Sequence, residues 1–229
     1  NNNGWDSTLL TFEWWRKAQP EISSYYLLRF LVVRTTMAES PVEVNLIPVE
    51  ATSESFRDYG QIIEASRDGD HFGPNDAQLD LSRGIPRFYI MRLQDGSFGF
   101  SEITHHANVT QCLGSIGGHV WYLGVVKPSL IEDDGSKKVD NVESGSGGHL
   151  YVPPAIEEVR LFRISGQKFV KLNRGTWHAG PLFRDSSMDF CNLELSDTNA
   201  VDRTVHDFVK NNGVTFRFNP KEEDNTSSS

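Results

Sequence analysis

Short apolar runs, broken every few residues by Gly, Pro, Asn or Asp, fill most of this chain, and no long stretch repeats with a helical period. Strands are expected at 88–93, 99–104, 110–116 and 120–126, and again at 168–172, 176–183 and 188–195. Each of these runs is rich in β-branched and aromatic residues and is bounded by turn formers. Asp95-Gly96 and Gly117-Gly118 read as hairpin turns. The segment 42–49 predicts a further strand, and 214–218 an edge strand. Helix is expected in two short places. One is 52–59, with an N-cap candidate, Phe56 and Tyr59 three apart and Gly60 as a stop; the other is 154–163, where Ile156, Val159 and Phe162 follow helical spacing. This pattern indicates an all-β sandwich or barrel. It argues against a parallel α/β sheet, which needs long amphipathic helices between strands.

The 229 residues allow one good-sized domain with appendages. The folded domain is expected over 37–218. Residues 1–36 read as a leader foreign to it, since Met37-Ala38-Glu39-Ser40 looks like a natural start. The acidic, Ser/Gly-rich stretch 132–148 reads as a mobile insertion and 219–229 as a disordered tail. The net charge of −9 argues against non-specific nucleic-acid binding, which needs Lys and Arg to neutralise phosphates. The most apolar segment, 25–33, is too short to span a bilayer and is interrupted by Arg29. A cytoplasmic protein is expected, with organelle targeting by the leader left open. Cys112 and Cys191 read as free, buried thiols of a reducing compartment.

Nucleophile elbows, phosphate loops and zinc-type Cys/His spacings are all missing from the sequence. Two histidine motifs remain. His105-His106-Ala-Asn-Val-Thr-Gln111 lies in the first strand cluster, and Gly175-Thr-Trp-His-Ala-Gly-Pro181 in the second. Two strand clusters that each carry a histidine motif are what a cupin, a double-stranded β-helix barrel, would show. Metal cupins usually place His-x-His and then Glu on the first cluster and one His on the second. Here Thr104, His106, Gln111 and His178 fill those places. Such a set could bind nickel or zinc weakly through His106, Gln111 and His178. Equally, it could work without metal, with the imidazoles in acid–base roles. Arg87, Lys171, Asn173 and Arg174 are candidates for holding an anionic substrate, with a solvated strand edge as the other reading for 171–174. Trp177 is a candidate core or pocket-wall residue. His119 and His149 read as structural, and the Asn108-Val109-Thr110 sequon as unmodified because it falls inside the strand cluster.

Four motifs together resemble the ureidoglycolate lyase (ureidoglycolate hydrolase) family, most closely its plant branch. They are F-R-D-Y-G-Q-I-I-E at 56–64, R-G-I-P-R-F-Y at 83–89, H-H-A-N-V-T-Q-C-L-G at 105–114 and G-T-W-H-A-G-P-L-F at 175–183. The resemblance runs from about 45 to 207. It implies a cupin barrel, a homodimer, and a C–N lyase that cleaves ureidoglycolate, a small anionic ureido acid, to urea and glyoxylate in allantoin and purine breakdown. The family's W-H-H-P-L departs here to Trp177-His178-Ala179-Gly180-Pro181. Breaking this carbinolamide needs a base for the hydroxyl, an acid for the departing nitrogen and cations for the carboxylate. His106 and His178 would share proton transfer, Gln111 would hold the ureido group, and Arg87 and Lys171 the carboxylate. The alternatives are a cupin enzyme on another small ureido or keto acid, or a non-catalytic metabolite-binding cupin.

Overall fold

A computed structural model describes residues 40–131 and 139–220. The expectations for 1–36, 132–138 and 221–229 lie outside the described residues. The described chain opens with β1 (Val42–Asn45), β2 (Val49–Glu50), β3 (Gly60–Ile63) and the long β4 (Pro86–Gln94). The first histidine cluster spans β5 (Gly99–Phe100), β6 (Glu102–His105), β7 (Gln111–Ser115) and β8 (Trp121–Val126). Three two-residue strands follow: β9 (Leu130–Ile131), β10 (Glu143–Ser144) and β11 (Leu150–Tyr151). The second cluster comprises β12 (Arg160–Ile164), β13 (Phe169–Leu172), β14 (Trp177–His178) and β15 (Ser187–Leu195). The described chain closes with α1 (Thr198–Val201), β16 (Thr204–Asp207), α2 (Phe208–Asn212) and β17 (Val214–Arg217). The protein is mainly β, as its pattern of short runs predicts.

Two large sheets face each other. One runs β16-β6-β14-β8-β12-β2 and the other β3-β13-β7-β15-β4. Alternation along each strand sends every second side chain into the space between them. Trp121, Leu123 and Val125 of β8 therefore meet Leu113, Val170, Leu172, Met188 and Phe190 of the opposite sheet in one buried cluster. Each large side chain enclosed there contributes roughly 1.5–3 kcal/mol. A second cluster, with Ile103, Trp177, Phe208 and Phe216, lies on the other face of the six-stranded sheet.

Several local expectations are corrected. Asp95-Gly96 and Gly117-Gly118 are not hairpins: β4 pairs with β15 and β5 with β17, while β7 and β8 belong to different sheets. The chain crosses between sheets at these points. Gly96 is required there by crowding, since a Cβ would sit 2.3 Å from the Phe183 carbonyl oxygen. Residues 52–59 form successive turns rather than a helix, although Ser55 N–H does donate to Thr52 Oγ1 (3.1 Å). The spacing of Phe56 and Tyr59 reflects two buried rings set against Phe162. In 154–163 a single 3₁₀ turn, Ile156–Glu158, precedes β12. The run 42–49 breaks into β1 and β2, and β17 is the central strand of β1-β17-β5 rather than an edge. Part of the expected mobile insertion is structured, because β10 pairs with β11. The sequence pattern missed α1, β16 and α2. Cys112 and Cys191 are free, though only Cys112 is buried.

Candidate functional site

Between the two large sheets lies a cavity of about 480 Å³, within the range of small-molecule sites. The five-stranded sheet contributes Tyr89, Gln111, Asn192 and Glu194 to its wall, and the six-stranded sheet Thr104 and His178. His106, just past β6, and Arg203, just before β16, complete the polar lining discussed below.

Strand alternation and one buried carboxylate place the histidines. Thr104 and His178 are register partners and share the pocket face, which sends His105 and Trp177 to the opposite face. His106 leaves the strand and is held by Asp202, which is 3 % exposed. The Asp202 carboxylate accepts from the backbone N–H groups of Ala107 (2.9 Å) and Asn108 (2.8 Å). Its own carbonyl lies 2.6 Å from His106 Nδ1. The two histidine motifs are also tied directly, since Gly175 N–H donates to the His106 carbonyl (2.7 Å).

A carbonyl can only accept, so the contact with Asp202 puts the ring hydrogen of His106 on Nδ1. His178 Nδ1 donates in the same way to the Thr176 carbonyl (3.1 Å). Each neutral ring is left with a lone pair on Nε2, and the two ring centroids stand 5.4 Å apart. Burial holds His106 below the ordinary histidine range, opposed by the Asp202 carbonyl and by the carboxylates of Asp202 and Glu194. Burial, reinforced by the neighbouring His106, pushes His178 down to about 3. Both rings are neutral at pH 7, each with an unprotonated Nε2.

Opposite them, Glu194 is 1 % exposed and accepts from Gln111 Nε2 (2.9 Å) and from the Tyr89 hydroxyl (3.2 Å). The Arg87 guanidinium lies 3.7 Å from the centre of the Tyr89 ring and 4.0 Å from the Glu194 carboxylate.

Of the residues expected from sequence, His106, Gln111 and His178 come together on this cavity, with Thr104 beside them. Lys171, Asn173 and Trp177 are not among the residues that line it, and Trp177 takes the core place that was one of its two readings. Val170 and Leu172 point into the core, so Lys171 points to the outer face of its sheet, where it donates to Asn173 (2.7 Å). Trp177 is fully buried and donates to Ser129 (2.9 Å). Arg87 stands behind the wall and reaches the site only through Tyr89 and Glu194. Arg174 donates to the Ala107 carbonyl (2.8 Å), which braces the loop after His106. The Asn108 side chain is engaged by Asp202 and Arg83.

Sequence reasoning missed Tyr89, Asn192, Glu194 and Arg203. The signal for two of them lay in β15, where Met188, Phe190, Asn192 and Glu194 occupy alternate, inward positions. Two polar residues on an otherwise apolar face mark a site. The expected metal set does not fit. Among the described residues no group of three or more His, Cys, Asp or Glu side chains is arranged to hold an ion. Two imidazoles with only a neutral amide oxygen, Gln111 Oε1, beside them leave nickel or zinc short of a third strong donor. No protein-family model matches the chain, and no curated protein sequence matches it.

Proposed function

We propose that this protein is a ureidoglycolate lyase, built on a cupin-like barrel and acting as a homodimer, that releases urea and glyoxylate without metal chemistry. The observation that carries this reading is the pair of neutral imidazoles, His106 and His178, with Nδ1 anchored and Nε2 facing a cavity whose far wall is rich in hydrogen-bond acceptors. A ureido group offers N–H donors to such a wall. Arg203 lines the cavity, and no salt bridge involving it is found among the described residues. It takes the place expected of Lys171 in binding the substrate carboxylate.

In this arrangement His106 Nε2 accepts the proton of the substrate hydroxyl. The O–H electron pair forms the new C=O, the C–N bond breaks, and its electrons go to the ureido nitrogen. The proton held on His106 passes to that nitrogen, directly or by way of His178, so urea leaves neutral and both rings return to their starting state. The Asp202 carbonyl and the Glu194 carboxylate favour the transient imidazolium. Gln111 fixes Glu194 for contact with the ureido group.

The test is steady-state kinetics on ureidoglycolate. His106→Ala and His178→Ala are each expected to lower kcat by about 10²–10⁴. Near-full turnover in either variant would remove that histidine from the chemistry.

A further inference from the structure

We infer that Ser146 and His149 are positioning residues of the cavity: from the opposite face of the six-stranded sheet they clamp the stretch 201–204, which carries Asp202 and Arg203 into the site. The clamp adds to the proposed lyase two residues that touch no substrate, and it holds the same groups in place whatever reaction they serve.

Asp202 and Arg203 lie between α1 and β16. Asp202 holds the loop after His106, and Arg203 lines the cavity. Both depend on the residues that bracket them. Val201 ends α1, and the last carbonyls of a helix find no partner within it. The Ser146 hydroxyl supplies one, donating to the Val201 carbonyl (3.0 Å). On the other side of the pair, the Ser146 N–H donates to Thr204 Oγ1 (2.9 Å). One serine thus grips the chain on both sides of the two site residues.

His149 fixes that serine. Its Nδ1 lies 2.8 Å from the Ser146 carbonyl, which can only accept, so in the neutral ring the hydrogen sits on Nδ1 and Nε2 carries a lone pair. That Nε2 stands 2.6 Å from His105 Nε2, and the contact needs a hydrogen from His105. His105 therefore carries its hydrogen on Nε2, which leaves its buried Nδ1 bare, and that atom has no partner. His105 stands on β6 opposite Thr204 of β16, so the contact ties the turn Ser146–Gly148 to the strand pair beside the site. The turn is held from its other side by β10 and β11, with the Tyr151 hydroxyl donating to Glu143 (2.8 Å). Part of the stretch expected to be a mobile insertion is thereby a scaffold for the cavity. The clamp requires a hydroxyl at 146 and an acceptor at 149; a phenyl ring at 149 fills the space but accepts no hydrogen bond.

The test is hydrogen exchange of the full chain, read at the Ala107 and Asn108 amides that donate to the Asp202 carboxylate, alongside kinetics on ureidoglycolate. Ser146→Ala and His149→Phe are each expected to speed exchange at these two amides by at least about tenfold, with the Val170 and Leu172 amides of the opposite sheet unchanged. Displacement of Arg203 and His106 is expected to lower kcat/KM by about 10–10²-fold in the same variants. His149→Gln, whose side-chain oxygen accepts from His105, is expected to restore both readouts. Ser146→Ala, which removes a single oxygen, decides the matter if His149→Phe fails to fold. Wild-type exchange at Ala107 and Asn108 in the first two variants, or no recovery in His149→Gln, would overturn the clamp. Equal acceleration at Val170 and Leu172 would do the same, since it marks general loosening rather than positioning. A wild type that releases no product from ureidoglycolate removes the lyase, and the exchange result still decides the clamp.

Discussion

His105 and His178 are both pushed down to about 3, mainly by burial, with His149 adding to the effect on the first and His106 on the second. In an unfolded chain each would titrate near 6.5. Their folded pKa values are depressed, so the unfolded chain takes up protons first as pH falls. Stability present above about pH 6.5 is therefore lost progressively towards pH 3, by at most about 1.4 kcal/mol per pH unit for each ring. Thermal unfolding across that range is expected to show a falling midpoint, with a shallower slope in His178→Leu. Parallel curves for the two proteins would contradict it. The imidazole pair itself was legible in the sequence, because histidines at 106 and 178 sit at matching places in two strand clusters. Their protonation state was not, since it depends on carbonyls of Asp202 and Thr176 that only the folded chain brings alongside.

Strand partners were the least legible feature at the level of elements. Asp-Gly and Gly-Gly have the same turn chemistry whether the chain reverses within a sheet or crosses to the other one, and tertiary pairing decides between them. Strand 187–195 shows the converse: its alternation was legible, and the inward Asn192 and Glu194 could have been read as site residues. Asp202 had no such signal, because it lies in a stretch where no element was expected. It nevertheless holds the loop after β6. Asp202→Ala would leave the buried Ala107 N–H and the half-buried Asn108 N–H unpaired. The expected cost is about 2–5 kcal/mol in urea denaturation, with a fall in kcat because His106 loses its bracing. A loss below about 0.5 kcal/mol, the scale of an ordinary surface substitution, would show that the loop holds itself. Crowding constrains Gly124 of β8 as well, since a Cβ there would meet the Phe100 ring at 2.5 Å.

For the whole molecule, a mainly-β fold followed from the absence of helical period. The two facing sheets account for why the polar site has walls from both strand clusters. Among the described residues no helix is long and apolar enough to cross a membrane. On the outer side of the five-stranded sheet, the edge strand β4 exposes Phe88 (67 %) and Ile90 (63 %). Exposed apolar edge strands invite pairing with another chain, which fits the proposed homodimer. Sedimentation is expected to give a dimer for the wild type and a monomer with unchanged circular dichroism for Phe88→Glu/Ile90→Glu. A wild-type monomer would remove the dimer from the proposal.

The central claim is that the cavity between the sheets breaks the C–N bond of ureidoglycolate as a lyase. Purified protein treated with a chelator and given ureidoglycolate should release urea and glyoxylate in equal amounts, with no ammonia, and His178→Ala should abolish nearly all of it. Ammonia in place of urea, dependence on an added metal, or no release of either product would contradict the account.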